Sequence, residues 1–209
     1  MTRTSSWSIT TQIRERNEDM AENKVLFGFK DLYIGTYEVD DDGDVTMGSP
    51  YHQKGAVGFS PDEQGDNYTF YADDSSYFSY YTSGVFEGDL VVARFDDAFK
   101  KQFLGFVELD DGGIAQIKNA MKPSIYMMFE IQGNEGAERC IFYNGAMSGI
   151  TREFATIEEN IEVQTESLSI KFDGDVKTGI SKVVYGKDKA GFETLFTNPP
   201  APTLPGSAS

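Results

Sequence analysis

The chain of 209 residues has one cysteine, one histidine and one tryptophan. A lone cysteine, Cys140, excludes both an internal disulfide framework and a cysteine metal site. It lies in the apolar run Cys140-Ile141-Phe142-Tyr143, so a buried strand position is expected. The lone histidine, His52, sits in a Pro- and Gly-flanked segment, where a structural loop residue is expected. With one histidine, a Ser or Cys nucleophile lacks its usual base. Basic residues are few: 18 Lys and Arg stand against 34 Asp and Glu, for a net charge of −16. Such a chain does not hold nucleic acid through a basic surface, because the phosphates would be repelled. No run is long and apolar enough to span a bilayer as a helix, and no charged-apolar-small leader pattern is visible. The sequence has no Gly-x-Ser-x-Gly, no phosphate-binding glycine loop with lysine and no His-Glu-x-x-His. Among so many carboxylates some pair is always close, so paired acids say nothing specific about glycoside hydrolysis. Neither an enzyme nor a cofactor is expected.

Aromatic residues and glycine are plentiful. Phe, Tyr and Trp make up 13% of the chain, enough to fill a core although hydrophobic residues total only 39%. Glycine, at 21 residues, suits a fold with many turns.

Along the chain the β pattern dominates. Residues 1–19 are polar and aperiodic, and read as an arm or an upstream start ahead of Met20. Tyr33-Ile34-Gly35-Thr36-Tyr37 and Val45-Thr46-Met47 flank the tip Asp40-Asp41-Asp42-Gly43-Asp44, a hairpin signal. The tip resembles a calcium loop only superficially, since no Glu stands at the closing position. Gly55 to Phe59 is expected to lead through a polar loop, Ser60 to Asn67, into a returning strand at Tyr68 to Asp73. Tyr77 to Tyr81 is either an interface or a solvent-edge strand. Val85 to Phe95 is a strand that feeds the clearest helix. Asp96 or Asp97 caps that helix, Phe95, Phe99 and Phe103 form its stripe, and Gly105 stops it. Ile125 to Ile131 and Arg139 to Tyr143 are apolar strands about a turn at Gly133-Asn134-Glu135-Gly136. From Ile161 to Phe172 the apolar positions switch face, which predicts a bulge or a bend between two packed sheets. Val183 to Tyr185 is a short strand, and Phe192, Leu195 and Phe196 form an amphipathic turn. The expected division is an arm over 1–19, one β domain over 20–197 and a mobile Pro-rich tail over 198–209.

Four segments carry a family resemblance: Gly55 to Pro61; Phe70-Tyr71-Ala72-Asp73-Asp74; Tyr80 to Phe106, with Glu87-Gly88-Asp89-Leu90 and the helix; and Glu162 to Ile170. In their order and spacing, residues 24–197 resemble the major tail proteins of long, non-contractile-tailed phages, of the phi-13 type. The segment before Met20 lacks a counterpart there, and the immunoglobulin-like decoration of some tail proteins is missing. The resemblance implies a tail-tube β-sandwich with one flanking helix, whose sheet edges join neighbours in a ring. It implies six copies per ring and rings stacked on a tape-measure protein. It also implies contacts with terminator and distal tail proteins, and genomic DNA passing without specific binding. It places the protein in the virion, assembled in the host cytoplasm, with no membrane partner. On that reading Asp62, Glu63, Gln64 and Asp66 are candidates for an inter-ring loop, and Glu162, Gln164 and Glu166 for the lumen wall, an ordinary solvated face being the alternative. Other readings are another tail component on the same fold, and a carbohydrate-binding β-sandwich whose platform would be Tyr77, Tyr80 and Tyr81.

Overall fold

The computed structural model describes residues 26–65, 67–72, 75–82, 84–133, 136–152 and 164–206. The first part of the chain gives β1 (Leu26–Val39), β2 (Val45–Met47), β3 (Tyr51–Gln53) and β4 (Ala56–Gln64). Next come β5 (Asn67–Ala72), β6 (Ser75–Tyr81), β7 (Val85–Val92), helix α1 (Asp97–Phe103), β8 (Phe106–Glu108) and β9 (Ile114–Gln116). The remainder supplies β10 (Ile125–Gly133), β11 (Glu138–Met147), β12 (Thr151–Arg152), β13 (Glu166–Phe172), β14 (Lys182–Gly186) and the short α2 (Gly191–Thr194). The protein is mainly β. A ten-stranded antiparallel sheet runs β2-β1-β10-β11-β13-β7-β4, with β3 on β1, β12 on β13 and β14 on β11.

The sheet folds over itself, and β11 is the corner. Its first half, Glu138 to Phe142, pairs with β14, whereas Gly145 to Met147 pair with β13. Between the halves, Ile125 and Met127 of β10 stand opposite Gly145 and Phe142, so β11 carries an extra residue. Asn144 has φ 54° there, a left-handed conformation that asparagine tolerates. Its amide donates to Gly174 O at 2.8 Å and its carbonyl accepts from Asp173 N at 3.2 Å. The bend between layers was expected within residues 161–172. The observed bend lies in β11, and the expected face switch begins at residues 161–163, outside the described residues.

Folding over brings β4 against β10, strands far apart in the ladder. Phe59 of β4 meets the Phe129 ring at 5.9 Å and the Phe142 ring at 5.8 Å, edge to face. Around them Leu32, Ile34, Leu90, Val92, Met127, Leu168, Ile170 and Phe172 complete the main core. The opposite face of β10 and β11 holds a second core: Tyr126, Met128, Ile141 and Tyr143 packed with Tyr37 and Leu195. The apolar run Ile125 to Phe129 is therefore buried on both faces, which is why it shows no alternation.

Helix α1 closes one side of the main core. Phe95, Phe99 and Phe103 are all fully buried, as their i, i+4 spacing predicts. The Asp96 carboxylate caps the start by accepting from Phe99 N at 2.7 Å, and Tyr51 Oη donates to its other oxygen. Leu104 N still reaches Lys100 O, and Gly105 at φ +69° turns the chain away. A Cβ at Gly105 would stand 2.7 Å from Ala120 Cβ, so close packing and conformation both call for glycine there.

Other expectations need correction. Ser60 to Gln64 are not a loop: they extend β4 and pair with Asp89 to Val85 of β7. Beyond Phe59 this stretch is exposed, so no hydrophobic alternation marks it as a strand. Gly88 allows it, because a Cβ there would stand 2.8 Å from Pro61 Cα. The expected partner strand, β5, pairs with β6 in a two-stranded sheet of its own. His52 lies in β3, not a loop, stacked on Tyr33 at 4.6 Å. The segment after residue 198 is extended but docked as far as Pro202: Tyr143 Oη donates to Pro200 O at 3.0 Å, and Pro202 is buried. Residues 1–19 lie outside the described residues.

Candidate assembly surfaces

Two kinds of surface stand out among the described residues: open sheet edges and two-stranded ribbons apart from the main sheet. The first edge is β4. It pairs only with β7 among the described strands, and residues 60–65 are all exposed. Such an edge leaves one row of backbone donors and acceptors free for another chain. Pro61 withholds one donor from that row. Asp62, Glu63 and Gln64 lie on this strand, near its end. Asp66 lies outside the described residues.

β2, β3, β12 and β14 are border strands too, and of these β14 pairs only with β11 among the described strands. Its one charged residue, Lys182, is exposed, and Lys187 follows just beyond it, next to the ion-paired Asp188 and Lys189. Lys182 Nζ also stands over the Phe142 ring at 5.3 Å. In a chain of net charge −16, one open edge is thus acidic and the other carries lysines.

The ribbons are β5–β6 and β8–β9, each a two-stranded sheet. Tyr68 and Tyr80 face each other across the β5–β6 ladder, and both are exposed. Beside them Thr69 Oγ1 and Ser79 Oγ lie 3.3 Å apart. The side chains of Tyr77 and Tyr81 lie outside those described. An isolated two-stranded ribbon is only marginally stable in water.

The lumen candidates separate. Glu162 lies outside the described residues. Gln164 is exposed just before β13. Glu166 is not an exposed wall carboxylate: it is buried, accepts from Phe95 N at 2.7 Å and pairs with Arg152. That bond ties β13 to the entrance of α1, so its polar character reflects a buried backbone donor that needs a partner. Sequence alternation alone could not separate Glu166 from a solvated acid.

Three other carboxylates work inside the subunit. Glu130 on β10 is buried between Lys30 Nζ and Arg139 Nε, both at 2.9 Å. Burial pushes its carboxyl up, but the hydrogen bonds and charges of Lys30 and Arg139 outweigh this and hold it below the ordinary range. Asp175 accepts from Tyr37 Oη at 2.6 Å and from Thr178 N and Oγ1. Burial acts upward on it too, and those donors bring it below its ordinary value. Asp96 follows the same balance through Tyr51 and the α1 amides. Burial raises the Cys140 thiol to about 11, so at neutral pH it stays protonated and unreactive. Among the described residues, no three His, Cys, Asp or Glu gather as a metal ligand set, and no helix is long and apolar enough to cross a membrane.

No family model matches the chain, and no curated protein does. Solved structures similar to it include three parts of contractile injection systems and related particles. The sheath/tube terminator of the PVC extracellular contractile injection system, in the extended state, shares 8% identity over 74% of this chain and 93% of that one, with TM-score 0.46. A chain of the PVC sheath-tube complex in the extended state shares 9% over 88% and 99%, with TM-score 0.47. The tube-terminating cap of the anti-feeding prophage shares 9% over 76% and 90%, with TM-score 0.47.

Proposed function

We propose that the chain is a structural tail-tube subunit of the long, non-contractile type, assembling in the host cytoplasm into hexameric rings that stack around a tape-measure protein. The supporting observation is that, among the described residues, two border strands of the ten-stranded sheet, β4 and β14, carry exposed charges of opposite sign. Asp62 and Glu63 stand on β4; Lys182 and Lys187 stand on and beside β14. Pairing β4 of one copy with β14 of the next continues the sheet from subunit to subunit. It satisfies the free backbone row, and closure into a ring removes the edges. The sequence resemblance to phi-13-type tail proteins supports the same reading.

The acidic balance suits a conduit for DNA, since each neutralised phosphate would strengthen binding and a wall without such charges lets the duplex slide. Gln164 remains a lumen candidate; Glu166 serves the subunit interior. Terminator and distal tail proteins would cap such a tube in the virion. Negative-stain microscopy of the purified protein across salt and concentration tests the reading. Rings or tubes are the expected result, and monomers under every condition would overturn it.

A second reading draws on one observation, the exposed Tyr68–Tyr80 pair. Exposed tyrosines also form sugar platforms, so a monomer that binds glycans on an array would favour a carbohydrate-binding module.

A further inference from the structure

Each layer of the folded sheet has an outer face, and the two faces are unlike. That of β10 and β11 is closed by the second core, where Leu195, just after α2, packs with Met128, Ile141 and Tyr143. That of β4, β7 and β13 is bare. Leu90 and Val92 on β7 belong to the main core, as do Leu168, Ile170 and Phe172 on β13. Alternation therefore turns Glu87 and Asp89 outward on β7, and Ser167, Ser169 and Lys171 outward on β13. On β4, Ser60 follows the inward Phe59 and joins them. Ser60, Glu87, Asp89 and Lys171 are all exposed, so none of the described elements covers this face. Glu166 falls on the buried set of β13, which leaves the odd-numbered positions of that strand as the wet ones.

The register sets these side chains in rows across the strands. Ser60 stands opposite Asp89, and Asp89 opposite Ser169, whose hydroxyl donates to the Asp89 carboxylate. Ser148 extends that row, its hydroxyl accepting from Ser169 N at 2.8 Å. In the next row Asp62, Glu87 and Lys171 follow one another, and Lys171 is paired with Asp173 at 3.2 Å. The side chains are mostly short, and the inner side of a closed barrel has less room per residue than its outer side. None of the exposed large hydrophobic residues lies on β7 or β13, so these strands offer no apolar patch to a docking protein. The acids on the face outnumber its lysine, so a phosphate backbone is repelled and not held.

We infer that the outer face of β4, β7 and β13 is the lumen wall, with Glu87 and Asp89 turned toward the passing duplex. The assignment rests on the tube reading and deepens it, by naming the surface that each ring turns to its axis.

Size-selective labelling tests this, because the native Cys140 is buried. Full-length Glu87→Cys is assembled and then treated with a small maleimide or with a maleimide carried on a bulky polymer. Glu193→Cys, at an exposed position of α2 over the other layer, is the comparison. In unassembled protein both positions should react with both reagents. In tubes Glu87→Cys should keep its reaction with the small reagent and lose that with the bulky one, whereas Glu193→Cys keeps both. Lys171→Cys, on the same face of β13, should behave as Glu87→Cys does and stands in for it if that variant folds poorly. Bulky labelling of Glu87→Cys in tubes would put the face on the outside, and protection from both reagents would bury it between subunits; either result overturns the assignment. Loss of bulky labelling at Glu193→Cys as well would make protection a general effect of assembly and overturn it too. Failure of the unsubstituted protein to form tubes would sink the tube reading itself, and the wall with it.

Discussion

β10 and β4 are both nine residues long, and they show what the rest of the molecule does with its strands. From Ile125 to Glu130 every residue of β10 is buried, between the main core and the smaller one capped by Leu195. β4 begins against the same core with Phe59 and then runs through exposed residues from Ser60 onward. One strand is fully provided for by its own chain. The other has its hydrogen bonds met on one side only, and its far half stays in the sheet through backbone pairing with β7. Burial is thus concentrated at β10 and β11, and unpaired backbone at the borders. Substitutions at the two places should separate folding from assembly.

The largest effect belongs to the interior. Phe142 is fully buried, and its ring touches Phe59, Phe86, Phe129 and Phe172. It joins both layers just before the corner at Asn144. Phe142→Ala should cost about 3–5 kcal/mol, from lost transfer energy and the cavity left behind. Chemical denaturation would read this as a lowered midpoint with little change in slope. A loss under 1 kcal/mol would mean that the layers do not depend on this cluster.

A middle effect comes from charge inside the sheet. Glu130 is the one acid on β10, and Lys30 and Arg139 hold its carboxyl below the ordinary range. Asp175 and Asp96 are lowered as well. A group whose folded pKa is depressed contributes stability above its unfolded value and loses that contribution as pH falls through the folded one. Unfolding midpoints should therefore hold near neutrality and decline below about pH 4. Glu130→Gln should cost roughly 1–3 kcal/mol at pH 7, by weakening two charge-assisted bonds, and should make the acid decline shallower. Midpoints of both proteins from pH 7 to pH 3 check this. Parallel curves would assign the acid sensitivity elsewhere.

The sequence is most transparent where the subunit is self-sufficient. The phenylalanine stripe of α1, its Asp96 cap, the Asp40–Asp44 tip between β1 and β2 and the β10–β11 hairpin all follow from local pattern. Each has its partner nearby in sequence or a periodicity that only one geometry satisfies. The borders are harder to read. Ser60 to Gln64 carry no alternation because both faces are wet, and only Gly88 across the ladder admits Pro61. Glu166 carries the same side chain as a lumen acid, and its burial depends on Phe95, far along the chain. The corner at Asn144 left no mark in hydrophobic pattern, since the residues on either side of it are apolar on both faces.

The smallest effect on stability should be the most informative for assembly. Glu63 is exposed on β4, and Lys187 is exposed beside β14. Glu63→Lys should move the unfolding free energy by no more than about 0.5 kcal/mol, as surface changes do. If β4 meets β14 of the next copy, however, the substitution sets like charges against each other and should shorten or abolish tubes. Lys187→Glu alone should do the same, and the two together should restore growth, because the swap rebuilds the attraction with its sign reversed. Lys187 is the better choice than Lys182, whose ammonium also stands over the Phe142 ring. Both single defects should depend on ionic strength, since exposed charges are screened over about 10 Å at 0.1 M salt. Tube length from micrographs of the four proteins, at low and moderate salt, decides the matter. Rescue in the double variant ties the two edges to each other; normal tubes from Glu63→Lys at low salt would show that β4 is an ordinary solvated border.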